Sequence, residues 1–239
     1  MREHIHTIPV IDAVRDAKVC PFCAMKRKLE RDAIGFALGP SYMEDDVRMQ
    51  TNRVGFCARH LDQMYAEQNR LGLALMLHTH LQQLNKDTDT ILKAKFSAPL
   101  FGRDANGPIA RLRTHINTVN NDCYICDKVD NTFLRYIDTF LYLWSKDGEE
   151  AKLINQVPGY CLPHYAMLLE AAEKLSKSKR DRFIAEIATR QQAFMQELEA
   201  DLEWFTLKFD YRNADEPWKN AKDALPRALA LLGSEEERK

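Results

Sequence analysis

The sequence predicts an all-α protein: two pseudo-repeats, each with a Cys3His metal site at helix starts, and a C-terminal helix. Three observations lead there. Apolar residues recur at three- and four-residue spacing over long segments, with little of the alternation that marks strands. The set Cys20, Cys23, Cys57 and His60 reads C-x2-C, then 33 residues, then C-x2-H, and Cys123, Cys126, Cys161 and His164 repeat it across a gap of 34. The flanks match as well: Gly55-Phe56-Cys57 corresponds to Gly159-Tyr160-Cys161, and Asp46 and Glu150 each lie 11 residues before the third cysteine of their set. Self-similarity at one fixed spacing is what a duplicated module leaves in a sequence.

In chain order, a first helix is expected from near Cys23 through Leu29 and Ile34, stopped by Gly39-Pro40. Ser41-Tyr42-Met43-Glu44 has the S-x-x-E form of a capping box and predicts a short helix opening there. Gly55-Phe56-Cys57 breaks it, and one long helix then uses Leu61, Met64, Tyr65, Leu71, Leu75 and Leu84. The stretch from Ser97 to Pro108 holds Pro99, Gly102 and Gly107 and reads as a linker, with Pro108 suited to the first turn of the next helix. The second half repeats the plan. A helix runs from about Cys126 through Phe133, Ile137 and Leu141 to the Asp147-Gly148 turn. Glu149 and Glu150 open a short helix that Pro158-Gly159-Tyr160 stops, and a long helical region, broken near Ser176 to Ser178, runs from Cys161 to about Lys208. Outside the repeat, a turn at Asp215-Glu216-Pro217 precedes a helix from Trp218 to Leu232 that Pro226 should kink. Trp218, Leu225, Leu229 and Leu232 form a stripe expected to dock on the body, and the tail from Ser234 reads as disordered. This divides the chain into 1–97, 108–210 and 211–239, as separate parts or as one compact domain.

The two Cys3His sets carry the chemistry. C-x2-C brings two thiolates onto one ion within a tight turn, C-x2-H does the same from a second turn, and together they complete a tetrahedron. Both pairs fall at expected helix starts, where backbone N–H groups and the positive helix end favour thiolates. The glycine two residues before each third cysteine lets the backbone turn sharply toward the ion. Two zinc ions per chain follow from this donor set, with an iron–sulfur cluster as the alternative because cysteines with one histidine also ligate clusters. A third reading, thiol–disulfide exchange at Cys20-Pro21-Phe22-Cys23, lacks the βαβ context it needs.

Composition narrows the function. A net charge of −1 argues against a broad nucleic-acid surface. Neither a signal-peptide core nor a membrane-length apolar run is present, so the chain is expected in the cytoplasm. In a reducing compartment, C-x2-C pairs hold metal rather than structural disulfides. Lys26-Arg27-Lys28 with Arg31, and Lys174 to Arg182, are basic stripes best read as solvated helix faces. His78 and His80 are two apart, on different helix faces, and share no metal; His4, His6 and His115 carry no ligand pattern. Phe133, Tyr136, Phe140, Tyr142 and Trp144 on one helix read as core. No P-loop, Rossmann glycine pattern, H-E-x-x-H or G-x-S-x-G occurs, which points away from an enzyme.

Cys20-Pro21-Phe22-Cys23, Gly55-Phe56-Cys57-Ala58-Arg59-His60, Cys123-Tyr124-Ile125-Cys126 and Gly159-Tyr160-Cys161-Leu162-Pro163-His164 resemble the paired motifs of an uncharacterised bacterial family, domain of unknown function 6062. The resemblance covers nearly the whole chain, including the tryptophan-bearing C-terminal helix at Trp218. It implies a helical metal-binding protein and carries no known activity. The sequence therefore predicts a non-catalytic zinc-binding scaffold, binding or regulatory, whose partner is another protein or a second copy. An iron–sulfur or thiol redox sensor is the second reading and a nucleic-acid regulator using the Lys26 stripe the third.

Overall fold

A computed structural model describes residues 5–16, 20–94, 107–146 and 148–233. Among these, eleven α-helices and three short 3-10 turns account for all regular structure. The helices are α1 (Thr7–Asp16), α2 (Pro21–Leu38), α3 (Asp45–Val54), α4 (Ala58–Ala66), α5 (Arg70–Lys93), α6 (Pro108–Asn121), α7 (Tyr124–Trp144), α8 (Glu149–Asn155), α9 (Leu162–Ala172), α10 (Lys177–Leu207) and α11 (Ala224–Leu232). No helix among the described residues is long and apolar enough to cross a membrane. The all-α prediction holds. Most of the linker, the acidic tail and Asp147 lie outside the described residues.

Three local expectations are corrected. Ser41 does not cap a helix: Pro40–Met43 forms a 3-10 turn, Ser41 is buried, and α3 starts four residues later after Glu44. The long helix after Cys57 is two helices. Asn69 interrupts it by accepting the Gly72 N–H at 2.9 Å, a side-chain N-cap that starts α5 afresh. The C-terminal helix begins at Ala224 rather than Trp218, so Pro226 falls within its first turn and introduces no kink.

The chain forms two compact units. One is continuous, Leu29–Asn131; the other joins Met1–Lys28 to Thr132–Lys239. Their boundaries fall inside α2 and α7 rather than in the glycine- and proline-rich stretch before Pro108. In the continuous unit, α3 and α5 pack together with the second half of α2 around Ile34, Val47, Phe56, Met64, Leu73 and Met76.

The discontinuous unit has an aromatic centre. The Phe22 ring lies 4.9 Å from Phe140, 6.1 Å from Phe133 and 5.9 Å from Tyr160, in tilted or edge contacts that such rings favour. Trp144 stacks edge-on with Phe183 at 4.8 Å and donates its indole N–H to Glu186 at 2.9 Å. Of the aromatic series on α7, Phe133, Tyr136, Phe140 and Trp144 are core, as expected, while Tyr142 is only half-buried. Helix α1 buries Val10, Ile11 and Val14.

Helix α11 docks with a face one residue, about 100°, away from the one predicted. Ala224, Ala228 and Leu231 are buried against Phe194 and Leu198, while Leu225, Leu229 and Leu232 are exposed. Small alanines let α10 and α11 approach closely, a signal the leucine stripe concealed. The turn before α11 wraps around Lys208, whose buried ammonium donates to the carbonyls of Asn213, Ala214 and Glu216 at 2.7, 2.8 and 2.5 Å. That grip holds 213–216 in place and delays the helix start.

Gly55 ends α3 with φ +71°, the left-handed region. A Cβ there would sit 2.5 Å from His80 Nε2, and the His80 ring is fixed by its Nδ1–H donating to Asn52 O at 2.8 Å. Gly35, inside α2, has open space around it. Gly55→Ala is therefore expected to destabilise the protein by about 1–3 kcal/mol. Gly35→Ala should stabilise it by about 0.5–1 kcal/mol. Urea denaturation of the two variants checks the opposite signs.

Candidate metal centres

All eight predicted ligands lie on the first turns of four helices. Cys20, Cys57, Cys123 and Cys161 immediately precede α2, α4, α7 and α9, and Cys23, His60, Cys126 and His164 are the third residues of those helices. Residues flanking a first turn in this way point to the same side, as the two partners of a capping box do. Each pair therefore presents two donors at the positive end of a helix.

The structure brings all eight together, but not in the predicted sets. Cys20 and Cys23 meet Cys161 and His164 in the first quartet; Cys57 and His60 meet Cys123 and Cys126 in the second. Each C-x2-C closes with the C-x2-H of the other half, so neither half contains a complete site. The helix lengths fit this exchange. Helix α2 has 18 residues and α3 has 10. At 1.5 Å per residue these span about 27 Å and about 15 Å, so α3 is too short to retrace α2 to its start. His60 Nε2 accordingly meets Glu30, midway along α2, at 2.8 Å. In the second half α7 has 21 residues and α8 only 7, and the His164 ring likewise meets mid-helix Phe133, 5.3 Å away.

The donor atoms have single-ion spacing. In the first quartet, His164 Nδ1 lies 3.0 Å from Cys161 Sγ, 3.4 Å from Cys23 Sγ and 3.6 Å from Cys20 Sγ, and Cys23 and Cys161 Sγ are 3.6 Å apart. In the second, His60 Nδ1 lies 3.2, 3.2 and 3.4 Å from Cys57, Cys123 and Cys126, and Cys57 and Cys126 Sγ are 3.9 Å apart. A tetrahedron with metal–sulfur bonds near 2.3 Å and metal–nitrogen bonds near 2.05 Å has edges of about 3.8 Å (S–S) and 3.5 Å (S–N). None of the six cysteines is in a disulfide.

The electrostatics of both quartets suit a cation. Burial pushes the Cys20 thiol well above its usual range, and hydrogen bonds with Cys161 and Cys23 add to this. Cys123 is drawn down to about 3, first by its hydrogen bond with Cys126, then by His60 and by backbone N–H groups of Cys126 and Cys57. Cys126 is driven up in turn by Cys123 and by burial. Clustered thiols of this kind do not all ionise together unless a positive ion neutralises them. The residues therefore fit a metal: Cys20, Cys23, Cys161 and His164 would hold one ion, Cys57, His60, Cys123 and Cys126 another. The ion would supply neutralisation and a rigid cross-link, with all four tetrahedral positions filled by protein.

The surroundings differ. Glu30 accepts from His60 and pairs with Arg59 Nη1 at 2.7 Å, while Gln63 donates to its other oxygen at 3.2 Å. Burial alone would raise the Glu30 carboxyl, but His60 and Arg59 outweigh it and hold it below the usual range. Burial would likewise lower His60, yet Cys123 and Glu30 raise it to about 9. His164 instead lies among rings, 5.9 Å from Phe22 as well as beside Phe133. Gln191, 1% exposed, accepts from Tyr160 N–H at 2.8 Å and donates to Tyr160 O at 3.0 Å, fixing the backbone just before Cys161. The Tyr124 N–H donates to Gly55 O at 3.0 Å in the second quartet; Pro21 takes the matching place in the first and has no N–H.

Sequence reasoning missed Glu30 and Gln191. One signal was present: Glu30 lies 10 residues after Cys20 and Phe133 lies 10 after Cys123, the same register on two matched helices. The remaining histidines stay out of the sites. His80 is buried on Asn52, His78 is exposed, His6 packs on Tyr136 at 5.3 Å, and His4 lies outside the described residues. His115, on α6, belongs to neither quartet. Among the basic residues, Lys26 rests over Phe133 at 5.9 Å and Lys174 pairs with Asp138 at 2.6 Å.

The Family of unknown function (DUF6062) matches residues 1–239. The chain belongs to this family. No curated protein and no solved structure matches it. The C-x2-C and C-x2-H motifs of this DUF6062 chain are thus placed as helix-start ligand pairs that close crosswise.

Glu30→Ala is expected to weaken metal binding at the second quartet by roughly 10- to 100-fold while leaving the first unchanged. Competition against a chromogenic chelator, read as two separate affinities, tests this. Gln191→Leu orphans the buried N–H and C=O of Tyr160, at a cost of about 1–3 kcal/mol for each group; calorimetric melting of the metal-loaded protein measures it.

Proposed function

We propose that this chain is a non-catalytic zinc-binding helical scaffold in which two structural ions lock helix starts together, and that its helical surface binds a protein partner or a second copy. The single observation that carries the reading is the closure of both quartets: three thiols and one imidazole at tetrahedral edge lengths, with protein donors in every position. A catalytic zinc keeps one position for water or substrate. The three-sulfur, one-nitrogen donor set favours zinc over harder ions.

The same edges weigh against an iron–sulfur cluster. Its ligands are separated by an iron–sulfide core, whereas all donors here lie within 4.8 Å of one another, the span of one ion. Cysteines without disulfides support a reducing location such as the cytoplasm. A net charge of −1, with basic side chains such as Lys174 engaged by carboxylates, supports a protein partner over nucleic acid.

Elemental analysis of anaerobically purified protein, with a visible spectrum, is the test. Two zinc ions per chain and no colour are expected. Brown protein with charge-transfer absorption would replace the reading with a cluster. Stripping the metal should lower helicity and melting temperature, because the binding free energy of a structural site is folding free energy; metal-free protein that is equally helical and stable would remove the structural role.

A further inference from the structure

The six thiols are not equivalent. In the first quartet every ligand is buried: Cys20 is 7% exposed, Cys23 5%, Cys161 0% and His164 3%. In the second, Cys123 and His60 are each 1% exposed, but Cys57 and Cys126 are only half-buried. Their sulfurs lie 3.9 Å apart, on the starts of α4 and α7. The first quartet is enclosed by Phe22 and Phe133, whereas the second borders a polar group, Glu30 with a part-exposed Arg59. Thiolate oxidation follows thiolate character and exposure together. A metal supplies the first to all six cysteines; the fold grants the second to two of them.

We propose that Cys57 and Cys126 are the oxidation site of this protein, that the oxidant is a peroxide, and that their oxidation releases the second metal while the first stays bound. The proposal rests on the zinc reading. The Cys57 thiolate attacks one oxygen of hydrogen peroxide; the O–O bond breaks, the sulfur becomes a sulfenic acid and hydroxide leaves. The Cys126 thiolate then attacks that sulfur, an S–S bond forms and a second hydroxide leaves. Two thiolates give up two electrons, the peroxide takes them, and two protons from solvent complete two waters. The ion, with two of its four ligands gone, departs as a dication. The approach needed is short, since a disulfide bond is about 2.05 Å long.

The experiment uses the full metal-loaded chain, with its metal content measured before oxidation. Hydrogen peroxide is added below stoichiometry, released ion is followed with a chromogenic chelator, and remaining thiols are alkylated and mapped by mass spectrometry. One ion per chain should leave on the order of tenfold faster than the other, accompanied by a Cys57–Cys126 disulfide, with Cys20, Cys23 and Cys161 unmodified. Release of both ions in one phase, earlier oxidation of the first quartet, or a Cys123–Cys126 disulfide would overturn the proposal. A chain without metal before peroxide is added overturns the zinc reading instead, so the two failures are separate.

Discussion

Three sulfurs and an imidazole nitrogen are forced within 4.8 Å of one another at two places in this chain, and the rest of the architecture answers to that crowding. Sulfurs held so close repel once ionised, so the thiols of each quartet would not all ionise together without a cation between them. Four helix starts supply part of the compensation through their positive ends. Neighbouring residues aim the donors: the left-handed turn at Gly55 directs the chain into Cys57, and Gln191 fixes the backbone ahead of Cys161. The first quartet joins Met1–Lys28 to the remainder of its unit, and the second joins the beginning of Leu29–Asn131 to its end.

Identical donors sit in unlike settings. The residue that meets the imidazole is Glu30 at one quartet and Phe133 at the other, from the same position on matched helices. A carboxylate on the outer nitrogen fixes ring orientation and strengthens the donor. An aromatic enclosure excludes water instead. One quartet is therefore held by a polar network open at its rim and the other by a dry shell, a division of roles that the ligands alone do not reveal.

The fold class and the residues of both Cys3His clusters were legible in the sequence because both depend on local facts: apolar period, residue type and short spacing. Helix starts at the ligand pairs were readable for the same reason. The pairing was not. For the C-x2-C of one half, the C-x2-H of either half is a chemically equivalent partner, so residue type and spacing do not say which of them meet; the unequal lengths of α2 and α3 fit the crosswise outcome. Asn69 was missed because an apolar period runs across it and hides a one-residue cap. The docking face of α11 was misjudged because leucines drew attention away from Ala224 and Ala228, whose small size is what allows contact. Lys208 escaped because three backbone carbonyls leave no trace in a sequence.

The crosswise closure has a consequence for the growing polypeptide. As the amino-terminal half leaves the ribosome it displays Cys20, Cys23, Cys57 and His60, a full donor set with the wrong connectivity. The proper partners follow much later: Cys123 is 63 residues beyond His60, and His164 is 144 beyond Cys20. An ion captured early would clasp the nascent half on itself. Reaching the finished arrangement then requires ligand exchange, sulfur by sulfur, once translation has delivered α7 and α9. For quartets filled by metal, timing of supply, and not affinity alone, would then govern correct maturation.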